Sequence, residues 1–152
     1  MRIQDIMTAD PACCTPEMRI RDVARLMLDN DCGEIPVVDD MDSMHLVGVV
    51  TDRDIAIRAV AEGKDPTTTN IADIMSSSVV SAKLDDSVEE CVELMEENQI
   101  RRIPIVDAQG RCCGIVAQAD IALRGDSKDT AEVVRDVSRR GGAGDTRSYT
   151  HL

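Results

Sequence analysis

Aromatic side chains are nearly absent from this chain: among 152 residues there is no tryptophan, no phenylalanine and a single tyrosine, Tyr149. The core must therefore be aliphatic, and a flat ligand would be held between aliphatic side chains and backbone rather than stacked on a ring. Positive charge is also scarce, with 17 Lys and Arg against 29 Asp and Glu and a formal net charge of −12. That balance disfavours nucleic acid and anionic membranes as partners, because both require a basic surface. A phosphate-bearing small ligand would need locally placed arginine or lysine. No apolar run reaches the length of a membrane span, and Met1–Asp10 lacks a signal-peptide pattern, so a cytoplasmic location is expected. Histidine is limited to two residues, and the six cysteines contain no C-x-x-C spacing, so no metal-ligand set is predicted. A Ser/His/Asp set, a Walker loop and a G-x-G-x-x-G are missing too, and an enzyme is not expected.

The chain instead contains a copy of itself. Asp5-Ile6-Met7 recurs 68 positions on as Asp73-Ile74-Met75. At the same offset Leu26-Met27 matches Leu94-Met95, Asn30 matches Asn98, and Ile35-Pro36-Val37-Val38-Asp39 matches Ile103-Pro104-Ile105-Val106-Asp107. After a loop shortened by two residues, Gly48-Val49-Val50 matches Gly114-Ile115-Val116, and Asp54-Ile55 matches Asp120-Ile121. The alignment places Cys91 opposite Val23, Cys113 opposite Val47 and Cys32 opposite Ile100, positions where cysteine acts as a small core hydrophobe. Cys13 and Cys14 lie opposite Ser81 and Ala82, in a segment expected to be partly exposed.

Each copy has the same plan. Apolar residues Ile20, Val23, Ala24 and Met27, and likewise Val88, Cys91, Val92 and Met95, recur at helical spacing. Ser87 with Glu90 forms a capping-box pattern, whereas the first copy has Arg19 in the capping place and should start its helix less firmly. Short aliphatic runs, Ile35–Val38 with His45–Thr51 and Ile103–Val106 with Arg111–Ala117, read as hairpins. Second helices follow at about Arg53–Glu62 and Ala119–Gly125. The expected organisation is a first repeat with its linker over 1–68, a second repeat over 69–125, a C-terminal helix over 126–140 and a flexible tail over 141–152. The fold class is α+β: two β-α-β-β-α repeats packed sheet to sheet about a pseudo-twofold axis, leaving equivalent clefts.

The Ile-Pro-Val-Val-Asp and Gly-Val-Val-Thr-Asp-Arg-Asp runs, together with the duplication, resemble a CBS-domain pair, or Bateman module, over about Met1–Gly125. The likeness is greatest to the small stand-alone bacterial proteins of that family. It implies a non-catalytic regulatory module that binds an adenosine derivative (AMP, ADP, ATP, S-adenosylmethionine or NAD) between the repeats. It further implies a homodimer that signals to a protein target yet to be identified, with no required cofactor. By that resemblance the Asp of the run holds a ribose, the Thr contacts ribose or phosphate, and Ile35-Pro36 and Ile103-Pro104 border the adenine.

The residues fit that role on physical grounds as well. Thr51 closes a strand and Asp54 lies in the next helical turn, so a hydroxyl and free amides can face one phosphate. Ionised Asp54 only accepts hydrogen bonds, which suits the paired hydroxyls of a ribose, and Arg53 adds local positive charge. The second copy keeps Asp120 but has Ala117 and Ala119 in place of the hydroxyl and the arginine, so it should hold phosphate poorly unless Arg101 and Arg102 compensate from across the cleft. One competent site, at Thr51, Arg53 and Asp54, is expected, with the other weak or empty. Alternatives stand beside each reading. Asp54 and Asp120 suit helix caps, Pro36 and Pro104 suit sheet edges, and Arg101-Arg102 suits a solvated pair. The competing function is a ligand-free dimeric interaction protein or one that responds to oxidation through Cys13-Cys14.

Overall fold

The structure, a computed structural model, describes residues 1–124; the C-terminal helix and tail expected over 126–152 lie outside the described residues. The order strand, helix, strand, strand, helix runs twice: β1 (Thr8–Ala9), α1 (Ile20–Asn30), β2 (Glu34–Val38), β3 (Leu46–Thr51) and α2 (from Asp52), then β4 (Ala82–Lys83), α3 (Val88–Asn98), β5 (Arg102–Val106), β6 (Cys112–Ala117) and α4 (Gln118–Arg124). The mixed helix-and-sheet class expected from the sequence is the class observed.

The chain forms two compact units, and neither coincides with one sequence repeat. One joins Met1–Pro11 to the chain from Val80; the other is Ala12–Val79. Relative to the repeats at 1–68 and 69–125, one segment has changed places. The opening segment of the first repeat completes the sheet of the second: β1 pairs with β6, β6 with β5 and β5 with β4. In the other unit the β2–β3 hairpin is flanked in the same way, by Cys14 beside Val37 and by Ser76 beside Val49. Ser76 is the second-repeat counterpart of Thr8, and Cys14 the first-repeat counterpart of Ala82, so both sheets follow one plan.

A glycine in each hairpin makes room for the incoming opener. A Cβ on Gly48 would stand 2.7 Å from the Ser76 carbonyl oxygen and 3.3 Å from Met75 Sδ; one on Gly114 would collide with Met7 Sδ and stand 3.2 Å from the Thr8 carbonyl oxygen. Any side chain at Gly48 would push against backbone that is itself hydrogen-bonded, since Val49 and Ser76 exchange N–H···O bonds of 2.9 Å in both directions. This is why the Gly-Val-Val and Gly-Ile-Val runs begin with glycine.

The two cores are made of equivalent residues. Ile3, Ile6, Val88, Cys91, Met95, Ile103, Ile105 and Val116 are buried in one unit. Ile71, Ile74, Ile20, Val23, Met27, Ile35, Val37 and Val50 are buried in the other. The helices differ at their starts as expected. Ser87 accepts the Glu90 N–H at 3.1 Å, whereas Arg19 makes no side-chain cap. The first turn of α1 is nevertheless satisfied, because the segment before the second repeat supplies the acceptors: Ile20 N–H donates to the Thr69 carbonyl and Arg21 N–H to that of Pro66, both at 3.0 Å. Arg19 Nη1 donates to the Thr68 carbonyl at 2.9 Å and to Asn70 Oδ1 at 2.6 Å. The orphan donors of a helix start can be met by any nearby acceptor, and here a turn remote in sequence provides them.

Candidate functional site

The Thr-Asp-Arg-Asp run lies where β3 becomes helix. Thr51 has extended backbone and caps the turn: its Oγ1 accepts the Asp54 N–H at 3.1 Å, and Asp54 Oδ2 accepts the Thr51 N–H at 2.9 Å. This reciprocal box is the helix-cap alternative realised, and it also fixes the chemistry left over. With its oxygen accepting from Asp54, the Thr51 hydroxyl keeps its own proton to donate. The Asp54 carboxylate keeps acceptor capacity on both oxygens, since an ionised carboxylate has about four lone-pair sites. Oδ1 faces Arg58 Nε at 3.8 Å. The pairing register sets Glu34 opposite Thr51 and Ile35 opposite Val50, so Ile35 and Pro36 border this corner from the neighbouring strand. Arg53, on the first turn, is exposed.

The second unit has the same corner with different groups. Asp120 Oδ2 accepts the Ala117 N–H at 2.7 Å, as Asp54 does from Thr51. Arg102 stands opposite Ala117 and Ile103 opposite Val116, with Pro104 next along β5. Gln118 N–H donates to the Arg101 carbonyl at 2.8 Å, which brings the arginine pair to the start of α4. Arg101 and Arg102 thus belong to the same unit as Asp120. Their position beside it was not evident from sequence, because hairpin register decides it.

The helix after Thr51 is not a regular α-helix. Asp52–Asp54 form one α-turn and Ile55–Val60 continue as a π-turn, with Ala61 N–H donating to the Ala56 carbonyl at 3.0 Å. Such turns often occur at functional positions. Within it Arg58 stays an i,i+4 neighbour of Asp54, and its guanidinium reaches the next segment: Nη1 lies 3.2 Å from the Ile74 carbonyl oxygen and 3.4 Å from that of Met75. Sequence reasoning missed Arg58. The available signal was its exact repetition in the second copy as Arg124.

Two further features bear on the alternatives. Cys13 and Cys14 are buried, which corrects the expectation of partial exposure. Cys14 pairs with Val37 as a sheet-edge residue, and burial pushes its thiol up from 9.0 to about 12. The thiolate is the reactive form, so this environment does not favour Cys14 as an oxidation sensor. A hollow of about 480 Å³ opens beside Arg2, Gln4, Lys83 and Asp107, at the Val106 end of β5, and none of the predicted site residues lines it. Among the described residues, no helix is long and apolar enough to cross a membrane, and no group of three or more His, Cys, Asp or Glu could hold a metal ion.

Two equivalent units, each with a strand-to-helix corner in which an aspartate accepts the strand-end N–H beside a proline-bearing strand, define a tandem-repeat protein. The sequence pattern of the CBS domain family matches residues 3–60 and 71–124, and the chain belongs to that family. It is 40% identical over 129 residues to the CBS domain-containing protein YhcV of Bacillus subtilis, which covers 85% of this chain and 89% of that one. The crystal structure of Hypoxic Response Protein I with two coordinated zinc ions is similar at a TM-score of 0.74 and 34% identity, covering 82% of this chain and 98% of that one. The CBS domain pair of protein MJ0100, in complex with 5′-methylthioadenosine and S-adenosyl-L-methionine, is similar at a TM-score of 0.70 and 28% identity, covering 81% and 98%.

Proposed function

We propose that this chain is a non-catalytic regulatory module that binds an adenosine derivative at the Thr51–Asp54 and Ala117–Asp120 corners and passes its occupancy to a protein target. The observation that carries the reading is the repeated corner itself. A carboxylate held by a strand-end N–H sits beside Ile35-Pro36 in one unit and beside Ile103-Pro104 in the other. Asp54 and Asp120 accept the ribose hydroxyls, Thr51 donates to ribose or phosphate, and the proline-bearing strands border the adenine. The adenosine ligands of the MJ0100 domain pair support the ligand class.

The two corners differ in charge. Arg53 supplies the cation at the first, where Glu34 stands opposite Thr51; Arg101 and Arg102 supply it at the second, opposite the missing hydroxyl. The loss of the hydroxyl at Ala117 is thereby offset, and phosphate recognition is expected at Asp120 as well as at Asp54. A thermal-shift series with AMP, ATP, S-adenosylmethionine and NAD tests the reading. A ligand at about 100 times its Kd stabilises the native state by about 2.7 kcal/mol, which is roughly 5–10 °C for a chain of this size. Asp54→Ala and Asp120→Ala should each weaken binding at one corner at least tenfold, since each removes charge-assisted hydrogen bonds. Flat curves for all four at millimolar concentration refute the proposal and favour the ligand-free interaction protein.

Exposed apolar residues at equivalent places, Ile57 on α2 and Leu123 on α4, with Val60 nearby, support the homodimer reading. Ile57→Glu with Leu123→Glu should shift the protein from dimer to monomer in sedimentation equilibrium; an unchanged mass, or a monomeric wild type, removes this face from consideration. Cytoplasmic action follows from an adenosine metabolite as ligand.

A further inference from the structure

Arg58 touches both the candidate ligand carboxylate and the segment that opens the second repeat. Its Nε is 3.8 Å from Asp54 Oδ1, and its Nη1 reaches the carbonyl oxygens of Ile74 and Met75 at 3.2 and 3.4 Å. The segment it reaches is docked at its start by Ile71 N–H to the Met18 carbonyl at 2.8 Å and Ala72 N–H to the Pro16 carbonyl at 3.0 Å, and at its end by Ser76. Met75 N–H donates to the Ile71 carbonyl, and Ser76 exchanges two hydrogen bonds with Val49, while Gly48 leaves Met75 and Ser76 room to lie flat on the hairpin. Ile71 and Ile74 are buried in the core of the same unit, so displacement of this segment would open that core.

We infer that Arg58 is a positioning residue that couples occupancy of Asp54 to the docking of Ile71–Ser76 on the β2–β3 hairpin. The inference rests on the ligand reading above and adds a route by which a bound ligand is reported. Asp54 is held at both oxygens, by the Thr51 N–H and by Arg58, which presents its remaining lone pairs in one orientation. Guanidinium is a rigid planar fork that can serve a carboxylate with one N–H and carbonyls with another; an ammonium on a flexible stem cannot span both. When two ligand hydroxyls donate to Asp54, they disperse the carboxylate charge and weaken its hold on Arg58. The guanidinium then bonds more fully to Ile74 and Met75, and the opener tightens. Linkage makes the effect reciprocal: whatever loosens the opener lowers ligand affinity by the same factor.

Hydrogen exchange of the full chain, with and without AMP and with and without S-adenosylmethionine, tests this alongside calorimetric titration. In the wild type, a ligand that binds should slow exchange at the Met75 and Ser76 amides. Arg58→Ala should weaken binding about tenfold and abolish that ligand-dependent slowing even at saturating ligand. Protection of the α1 amides and of the β2–β3 pairing, in the same unit as Arg58, should be retained without ligand and report that the variant is folded. Arg58→Lys should recover part of the affinity but not the slowing at Met75 and Ser76. Should the wild type bind and Arg58→Ala bind equally well, or still slow exchange at Ser76, the coupling is overturned and the ligand reading survives. If the wild type binds neither compound, the titration and exchange are repeated with ATP and NAD, and failure with all four overturns both.

Discussion

Truncating Ile3 to alanine is expected to destabilise the second hairpin, although Ile3 belongs to the first repeat. Ile3 is fully buried among Val88, Cys91, Met95, Ile103 and Ile105, and shares that core with Ile6. Removing three buried carbons from such a position costs about 2–5 kcal/mol, the lost transfer energy plus the cavity left behind. That is a large part of the total stability of about 5–15 kcal/mol that a domain commands. The reciprocal substitution, Ile71→Ala, should act on the first hairpin, because Ile71 is fully buried in the core around Ile20, Ile35 and Val37. Native-state hydrogen exchange distinguishes the two. Ile3→Ala should lower protection of β5 and β6 before that of β2 and β3, and Ile71→Ala should do the reverse. If each substitution loosens the hairpin of its own repeat instead, the exchange of opening segments is wrong.

The sequence repeat announces everything that depends on local pattern. The helices begin at Ile20 and Val88, the hairpins fall where aliphatic runs flank Asp39 and Asp107, and the buried set repeats residue by residue. Even the hairpin turns have a shared device. Asp39 accepts from Ser43, Asp40 and His45, and Asp107 accepts from Arg111 and Gln109, contacts that hold both carboxyls below the ordinary range. The exchange of openers was not legible, because similar repeats carry similar docking surfaces. Ile3 fits a core built like that around Ile71, and periodicity cannot say which hairpin receives it. The same limit applies at the candidate site. Thr51, Asp54 and Asp120 were found from motif and spacing, but Arg102 acquires its place opposite Ala117 only through strand register. Arg58 faces Asp54 at ordinary helical spacing, but it reaches the Ile74 and Met75 carbonyls only because that remote segment docks beside it. Cys13 and Cys14 were misjudged because a segment with polar counterparts in the other copy, such as Ser81, read as surface; Cys14 instead bonds along β2 through backbone pairs with Pro36 and Val38.

The buried thiols lead to the second large effect: the protein should lose stability steeply above about pH 9, and two substitutions copied from its own repeats should abolish much of that loss. Burial pushes Cys14 to about 12, and burial with the nearby Asp86 carboxylate pushes Cys91 to about 12, both from 9.0. A thiol that resists ionisation in the folded protein ionises freely once unfolded. Its contribution is therefore fully present below the unfolded value and is lost as pH rises from about 9 toward 12. Each unit of pH in that window costs about 1.4 kcal/mol per thiol, so at pH 11 the pair together would forfeit several kcal/mol, roughly 3–5 after allowing for partial hydration. The repeats supply replacements already tested by the fold, for Ala82 occupies the place of Cys14 and Val23 that of Cys91, both buried. Cys14→Ala combined with Cys91→Val should stay within about 1–2 kcal/mol of the wild type at pH 7, as modest core volume changes do. Between pH 9 and 11 its melting temperature should fall much less than that of the wild type. Lysine and tyrosine titrate in both proteins, so the difference between the two curves isolates the thiols. Parallel curves from pH 7 to 11 would mean that neither thiol is held protonated by burial, and the core-hydrophobe role assigned to Cys91 would fail with it.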